Sequence, residues 1–166
     1  MGRKVFTAVV VVAALVAAVY LVKGWLESDE TKILRSIDGF VESINSESIL
    51  GFVRDLDPEY RDCRDIDAPT LKSIVLQTFK RFADIEVRIT EPSVRVGGDR
   101  TNAVAWFNCS LRAAPTEGGE SLDLVQSQLR SPLIVLKFIS RDGRWKVIGA
   151  DYGPDAKPPL ETDAAE

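Results

Sequence analysis

The side chains that could do chemistry in this chain are few, because its 166 residues include no histidine. Histidine is the usual general base and the commonest metal ligand near neutral pH. Its absence excludes the Ser-His-acid triad and most zinc sites. The remaining candidates for a ligand pocket are a carboxylate, a phenol, an amide and an indole: Asp151, Tyr60, Asn108 and Trp106.

Asp151 lies near the end of the last apolar run, "RWKVIGADY". In an unbroken strand, alternate residues share a face, so Trp145, Val147, Gly149 and Asp151 would point the same way. If Trp145 and Val147 face the core, Asp151 points toward the interior. A carboxylate in an apolar cavity has a raised pKa and can act as a base. The alternative is a solvated acid at the end of a strand.

Tyr60, Trp106 and Asn108 each have a binding interpretation and a structural one. Tyr60 could donate a hydrogen bond to a ligand oxygen, or it could pack its ring and leave its hydroxyl in water. Trp106 and Asn108 share one face of the long run 101–113, which carries apolar residues on both faces and is therefore predicted to be central. Alternation alone does not say which face is internal, so Asn108 could reach a ligand or lie on the outer side of the sheet.

The acidic segment 54–67 does not predict a metal site. It lacks the glycine and the ligand spacing of a calcium-binding EF-hand, and three arginines lie among its acids. We therefore expect a solvated, self-paired loop, with no metal and no cofactor. The acids are Asp55, Asp57, Glu59, Asp62, Asp65 and Asp67, and the arginines are Arg54, Arg61 and Arg64.

The two cysteines, Cys63 and Cys109, leave two interpretations open. They could form a disulfide if the domain is exported. They could equally be two separate small apolar residues, because sequence cannot show whether their Cα atoms come close enough to be bridged.

The N-terminus contains 18 uncharged residues, "VFTAVVVVAALVAAVYLV", at 5–22. A helix of this length spans ~27 Å, close to the hydrocarbon thickness of a bilayer. Arg3 and Lys4 precede it, which favours a cytoplasmic N-terminus at 1–4, a transmembrane anchor at 5–26, and the remainder on the outer side of the cytoplasmic membrane. A cleaved signal peptide, which would leave a secreted soluble domain, is the main alternative.

The charge balance argues against a nucleic-acid partner. The chain has 21 basic and 25 acidic residues, and three of the basic ones flank the apolar segment. The part after the anchor therefore has a net charge of about −7 and no basic stripe. The last residues, 154–166, are rich in proline and acid without apolar periodicity, and we expect them to be disordered.

The order of the predicted elements indicates an α+β fold. Apolar residues at helical spacing predict a first helix that begins after Ser28 and runs to about Ile44. A second helix follows the "NSES" cap, and Asp67 and Pro69 open a third. From Ile85 onward the period becomes two, which predicts four or more mostly antiparallel strands. Helices that precede such a sheet pack on one of its faces.

This order resembles the nuclear-transport-factor-2-like (NTF2-like) superfamily, which includes SnoaL-like and ketosteroid-isomerase-like proteins. The resemblance covers 29–153 and is carried by the helical stripe from Ile33 to Ile44, by the strands joined at "GGDR", and by the closing hairpin "FISRDGRWKVIGADY". It implies a cone formed by three N-terminal helices leaning into a strongly curved sheet. Some members isomerise or dehydrate small apolar substrates, many only bind or assemble, and several bacterial members hang from one N-terminal membrane helix.

Together these features predict a membrane-anchored, non-catalytic binding or assembly domain with a protein partner or a second copy of itself. The alternative is a domain that uses the cone as a pocket, either binding a small apolar ligand or acting as an isomerase or dehydratase. That alternative requires a cavity in which a few polar groups converge.

Overall fold

The computed structural model describes residues 27–117, 122–123 and 132–159. Its order is three helices followed by strands, as the sequence predicts, so the fold is α+β. The helices are α1 (Asp29–Asn45), α2 (Ile49–Arg54) and α3 (Ala68–Arg81). The strands are β1 (Phe82–Val96), β2 (Asn102–Pro115), β3 (Leu122–Asp123), β4 (Leu133–Arg141) and β5 (Arg144–Tyr152).

Each helix begins at a side-chain cap that can be identified in the sequence. Ser28, Ser48 and Asp67 accept hydrogen bonds from backbone amides that the first helical turn leaves unpaired. Asp29 and Glu30 add negative charge to the first turn of α1, where the helix dipole favours it. The predicted starts of all three helices are therefore confirmed.

The sheet is curved and antiparallel, with the strand order β1-β2-β4-β5, and β3 pairs with β2. β1 runs through Pro92. The structure accommodates the proline with a register shift between Thr90 and Ser93. Proline cannot donate to a ladder, and a bulge at an edge strand is where it is tolerated.

The chain that follows α2 covers the edge strand β5. Val147 donates its amide to the carbonyl of Asp55, and its own carbonyl accepts from the amide of Asp57, both at 2.9 Å. Arg61 and Cys63 donate to carbonyls further along β5. The edge that would otherwise be open for pairing with another chain is thus occupied by this loop.

The core lies between α1 and the inner face of the sheet. Ile33 and Ile37 of α1 are 0% and 1% exposed and pack against Phe138 and Val147 in the same buried cluster. Burying a side chain of this size stabilises the fold by about 1.5–3 kcal/mol. α3 is different, because none of its residues is buried.

The predicted anchor at 5–26 lies outside the described residues. Within 27–117, 122–123 and 132–159, no helix has the length and apolarity needed to cross a bilayer. Of the tail expected to be disordered, residues 154–159 are described, and the carbonyl of Pro159 accepts a hydrogen bond from Arg95 at 3.4 Å. The first part of this tail is therefore placed against the sheet.

Candidate functional site

A cavity of about 190 Å³ lies between the helices and the inner face of the sheet. The helices supply one wall and four strands supply the other. Every lining residue except Tyr60 and Cys109 has a purely hydrocarbon side chain. The lining consists of Ile37, Phe40, Val41, Ile44, Phe52, Leu56, Tyr60, Leu71, Val87, Ile89, Phe107, Cys109, Ile134, Leu136 and Val147.

Strand alternation explains the apolar lining. In β2, Phe107 and Cys109 point inward and pair in register with Ile134 of β4 and Ile89 of β1. The inward-facing apolar residues of three neighbouring strands thus form one wall of the cavity. Phe107 forms part of this wall without filling the space, and Phe79 and Phe82 are not among the lining residues.

Tyr60 is the sequence candidate that the structure places in the cavity wall. It follows α2, in the loop that covers β5, and is 4% exposed. Burial raises its pKa, and the neighbouring Asp62 carboxylate raises it further. The phenol is therefore neutral at physiological pH, so it can donate a hydrogen bond but cannot act as a phenolate base.

Next to Tyr60, a polar cluster joins the loop to the end of β5. The hydroxyl of Tyr152 donates to Oδ2 of Asp62 at 2.5 Å, and Oδ1 of Asp62 accepts from the amides of Arg64 and Ile66. The guanidinium of Arg64 lies 5.0 Å from the ring centre of Tyr152. Burial and the Asp62 hydrogen bond raise the pKa of Tyr152. Because its oxygens are already bonded, Asp62 holds the loop in place.

Asp151 points away from the cavity, and the inward orientation that strand parity predicts is wrong. Gly149 pairs with Lys137, but Val147 pairs with Phe138, so Ile148 is an extra residue in β5. This bulge reverses the alternation. Trp145 and Val147 stay inside, whereas Asp151 turns outward and pairs with Lys137 at 2.8 Å. The same reversal turns Tyr152 inward, and the sequence analysis missed that residue for this reason.

Trp106 and Asn108 also lie on the outer face of the sheet, so the structural interpretation holds for both. The guanidinium of Arg95 lies 5.6 Å from the ring centre of Trp106. The amide of Asn108 donates to Glu91 at 3.3 Å. Of the four pocket candidates, only Tyr60 reaches the cavity.

The two cysteines are both thiols in the structure and form no bond with each other. Cys63 is exposed and its Sγ lies 3.8 Å from the carbonyl oxygen of Tyr152. Cys109 lines the cavity. The two therefore occupy chemically different surroundings.

The carboxylates of the acidic loop are engaged by the protein itself. Asp57 is fully buried and forms an ion pair with Nε of Arg141 at 2.6 Å. Asp55 pairs with Arg54, and Asp67 caps α3. Within the described ranges, no group of three or more His, Cys, Asp or Glu residues is arranged to hold a metal ion. The carboxylates of this loop thus form ion pairs and a helix cap within the domain.

The cavity wall that the structure describes is almost entirely apolar. General acid–base catalysis needs a positioned group that can take up and return a proton near the operating pH. Among the lining residues there is no carboxylate, amide or cation, and the phenol is held neutral. The wall can remove an apolar molecule from water.

No protein-family model matches the chain, and no curated protein matches it. Solved structures do. A nuclear transport factor 2 (NTF2-like) superfamily protein from Salmonella enterica serovar Typhimurium aligns over 78% of this chain and 93% of its own, with a TM-score of 0.55 and 17% identity. A protein of unknown function from Mycobacterium tuberculosis aligns over 81% and 79%, with a TM-score of 0.59 and 15% identity.

An uncharacterised protein with a cystatin-like fold from Caulobacter vibrioides aligns over 75% of this chain and 90% of its own, with a TM-score of 0.57 and 14% identity. Identities this low show a shared fold and nothing about activity. Three N-terminal helices on a curved antiparallel sheet with an internal cavity match that fold in order and in architecture. The chain therefore has the nuclear-transport-factor-2-like fold.

Proposed function

We propose that this domain binds a small apolar molecule in its internal cavity and does not transform it. The observation that carries the proposal is the composition of the wall, in which Tyr60 and Cys109 supply the only polar side-chain atoms among fifteen lining residues. Cavities of about 150 Å³ lined by Leu, Ile and Phe bind benzene. A volume of about 190 Å³ suits a ligand of one or two small rings or a short branched chain.

The sequence supports a membrane location for this binding. The uncharged segment at 5–22 ends a few residues before α1 begins at Asp29. We propose that this segment anchors the domain on the outer side of the cytoplasmic membrane. The domain would then remain next to a bilayer in which apolar molecules concentrate. Anchoring also raises the effective concentration of the domain for other membrane components.

The two thiols allow a test of this proposal, because Cys109 lines the cavity and Cys63 lies at the surface. The full-length chain in lipid nanodiscs is treated with methyl methanethiosulfonate, and modification of each cysteine is followed by mass spectrometry. Indane, an apolar bicyclic hydrocarbon, is the probe. We expect indane to slow the modification of Cys109 in a saturable manner and to leave the rate at Cys63 unchanged.

A matched pair of substitutions locates the effect. Ile89→Phe places a larger side chain in the cavity wall, whereas Ile74→Phe makes the same change on α3, where Ile74 is 42% exposed. Ile89→Phe should abolish the protection by indane, and Ile74→Phe should retain it. If indane and a panel of similar hydrocarbons leave the Cys109 rate unchanged in the unsubstituted chain, the cavity is not a ligand site.

Assembly with another protein is the second candidate, and a separate observation favours it. Leu50, Ile74 and Leu76 are 77%, 42% and 37% exposed. They lie on α2 and α3, and exposed apolar side chains of this size can take part in protein contacts. A photo-crosslinking residue at position 76 should capture one reproducible product in native membranes. The same group at Asp38, an exposed position on α1, should not, and equal capture at both sites would argue against assembly through α2 and α3.

A further inference from the structure

The outer face of the sheet carries several apolar residues among its polar ones. An antiparallel sheet packed on one side normally shows polar residues on the other. Four apolar residues point outward: Val104 and Trp106 of β2, and Val135 and Ile139 of β4. This orientation follows because Val104 pairs with Lys137 and Val135 pairs with Asp151, and alternate residues of a strand share a face. Val135 is nevertheless only 4% exposed. The exposed large hydrophobic residues of the described chain lie instead on α2 and α3.

The chain that follows β5 crosses this outer face. Gly153 has a positive φ of 92° and is buried, and the amide of Ala156 donates back to the carbonyl of Gly153 at 3.1 Å. This turn redirects the chain away from the strand. Three residues later, the carbonyl of Pro159 accepts a hydrogen bond from Nη1 of Arg95.

The two ends of this segment belong to opposite edges of the sheet. Gly153 follows β5, and Arg95 lies on β1, with β4 and β2 between them. Three inter-strand spacings amount to roughly 14 Å. The turn at Gly153–Ala156 shortens the segment, and the three residues from Ala156 to Pro159 add at most about 10 Å, so no length is left for a route around the sheet. The inner face is occupied by α1, so residues 154–159 pass over the outer face.

The surface at the end of this path has the features that recognise proline. The guanidinium of Arg95 lies over the ring of Trp106, so that an aromatic plane and a cation adjoin each other. Two consecutive prolines end the described tail: Pro159 is half-buried and accepts the Arg95 hydrogen bond, and Pro158 is exposed beside it. Proline loses little conformational entropy on binding and has no amide hydrogen to leave unpaired, while its carbonyl remains a good acceptor. Aromatic-lined surfaces bind extended proline-containing segments in this way.

We propose that the outer face of the sheet is a binding surface for extended, proline-containing peptide segments, and that residues 154–159 occupy it in cis. Trp106 and Arg95 form the recognition point, and the apolar outward residues of β2 and β4 form the path that leads to it. The site is separate from the cavity, which lies on the other side of the same strands.

The test measures whether the tail shields Trp106. The full-length chain is compared with a chain that ends at Gly153, using hydroxyl-radical footprinting read out by mass spectrometry. Trp145 is 7% exposed in the core and serves as the internal control. We expect oxidation of Trp106 to rise several-fold in the shortened chain, with Trp145 unchanged. A synthetic peptide of residues 153–166 should restore the protection of Trp106 in trans.

If the shortened chain unfolds, the oxidation of Trp145 will rise together with that of Trp106. A full-length variant then tests the proposal. Pro158→Gly with Pro159→Gly retains every residue of the domain and should expose Trp106 alone. The peptide that carries the same two substitutions should need a several-fold higher concentration than the natural one. The proposal is overturned if Trp106 oxidation does not change in either variant. It is also overturned if protection returns with chain concentration and not with peptide, since a second copy would then be the occupant.

Discussion

Tyr60 shows how strongly one residue's surroundings decide its chemistry. In the sequence it is a phenol between two charged stretches, where packing is favoured and ligand binding is the alternative. In the structure it is 4% exposed and close to the Asp62 carboxylate. Burial and the neighbouring negative charge both disfavour the phenolate. Tyr60 is thus a neutral hydrogen-bond donor in an apolar wall.

The raised pKa of Tyr60 predicts a loss of stability at alkaline pH. In the unfolded chain the phenol ionises near its ordinary pKa of 10.0, whereas in the folded chain it stays neutral to higher pH. Its contribution is therefore fully present below pH 10.0 and is lost as the pH rises above that value. The expected slope is up to about 1.4 kcal/mol per pH unit for one proton.

Urea denaturation of the wild type and of Tyr60→Phe at pH 8 and above pH 10 measures this loss. The free energy of unfolding of Tyr60→Phe should fall less steeply in the alkaline range, although lysines titrate equally in both proteins. Parallel pH profiles for the two proteins would show that Tyr60 ionises in the folded state as it does in water.

At the scale of single elements, the bulge in β5 decides which side chains meet. Helix starts could be predicted from the sequence because Ser28, Ser48 and Asp67 cap amides only three residues away. The bulge could not be predicted in this way. After Val147 in "RWKVIGADY", the sequence does not show which residues face inward. The position of the extra residue depends on how β5 pairs with β4 and with the loop that follows α2.

The amphipathic pattern of α3 has a similar limit. α3 carries apolar residues at helical spacing, yet Ile74 is exposed and no residue of the helix is buried. Periodicity shows that a helix has an apolar face, but it cannot show how much protein that face meets. Here one position, Leu71, meets a cavity, which a sequence pattern cannot distinguish from a filled core.

Gly149 is the residue that allows the loop to approach the bulge. A Cβ at this position would lie 2.9 Å from the backbone oxygen of Arg61, closer than a backbone that is itself hydrogen-bonded to β5 can tolerate. Gly149→Ala should therefore lower the free energy of unfolding by about 1–3 kcal/mol. Gly98→Ala is the matched control, because a Cβ there meets nothing within 4 Å.

Thermal denaturation followed by circular dichroism compares the two glycine variants. The midpoint of Gly149→Ala should fall clearly below that of the wild type, with Gly98→Ala close to it. An unchanged midpoint for Gly149→Ala would mean that the loop does not pack against β5 as closely as the structure places it.

At the scale of the whole molecule, Asp29 connects the start of the domain to two distant parts of the sheet. It is the first residue of α1, and Oδ2 accepts from Nε of Arg100, in the turn between β1 and β2, at 2.7 Å. Its Oδ1 accepts from the indole of Trp145 at the start of β5 and from Lys32. The carboxylate thereby links the start of α1 to the β1–β2 turn and to β5.

The Asp29 contacts predict that the free energy of unfolding decreases at acidic pH. The hydrogen bond from Arg100 is the main cause that holds the pKa of Asp29 below its ordinary value of 3.8, although partial burial opposes it. A lowered pKa means that the contribution is present above pH 3.8 and is lost as the pH falls below it. Asp29→Asn should lower the free energy of unfolding by only about 1 kcal/mol at pH 7, because solvent around the exposed Arg100 side chain screens the interaction.

Glu30→Gln is the matched control for Asp29→Asn, since it removes an exposed negative charge from the same first turn of α1 and so tests the helix-dipole effect alone. Urea denaturation at pH 7 and near pH 3 should show a deficit for Asp29→Asn that shrinks as the wild-type carboxyl becomes protonated. A deficit of equal size at both pH values, or an equal deficit in Glu30→Gln, would mean that Asp29 does not tie α1 to the sheet through its charge.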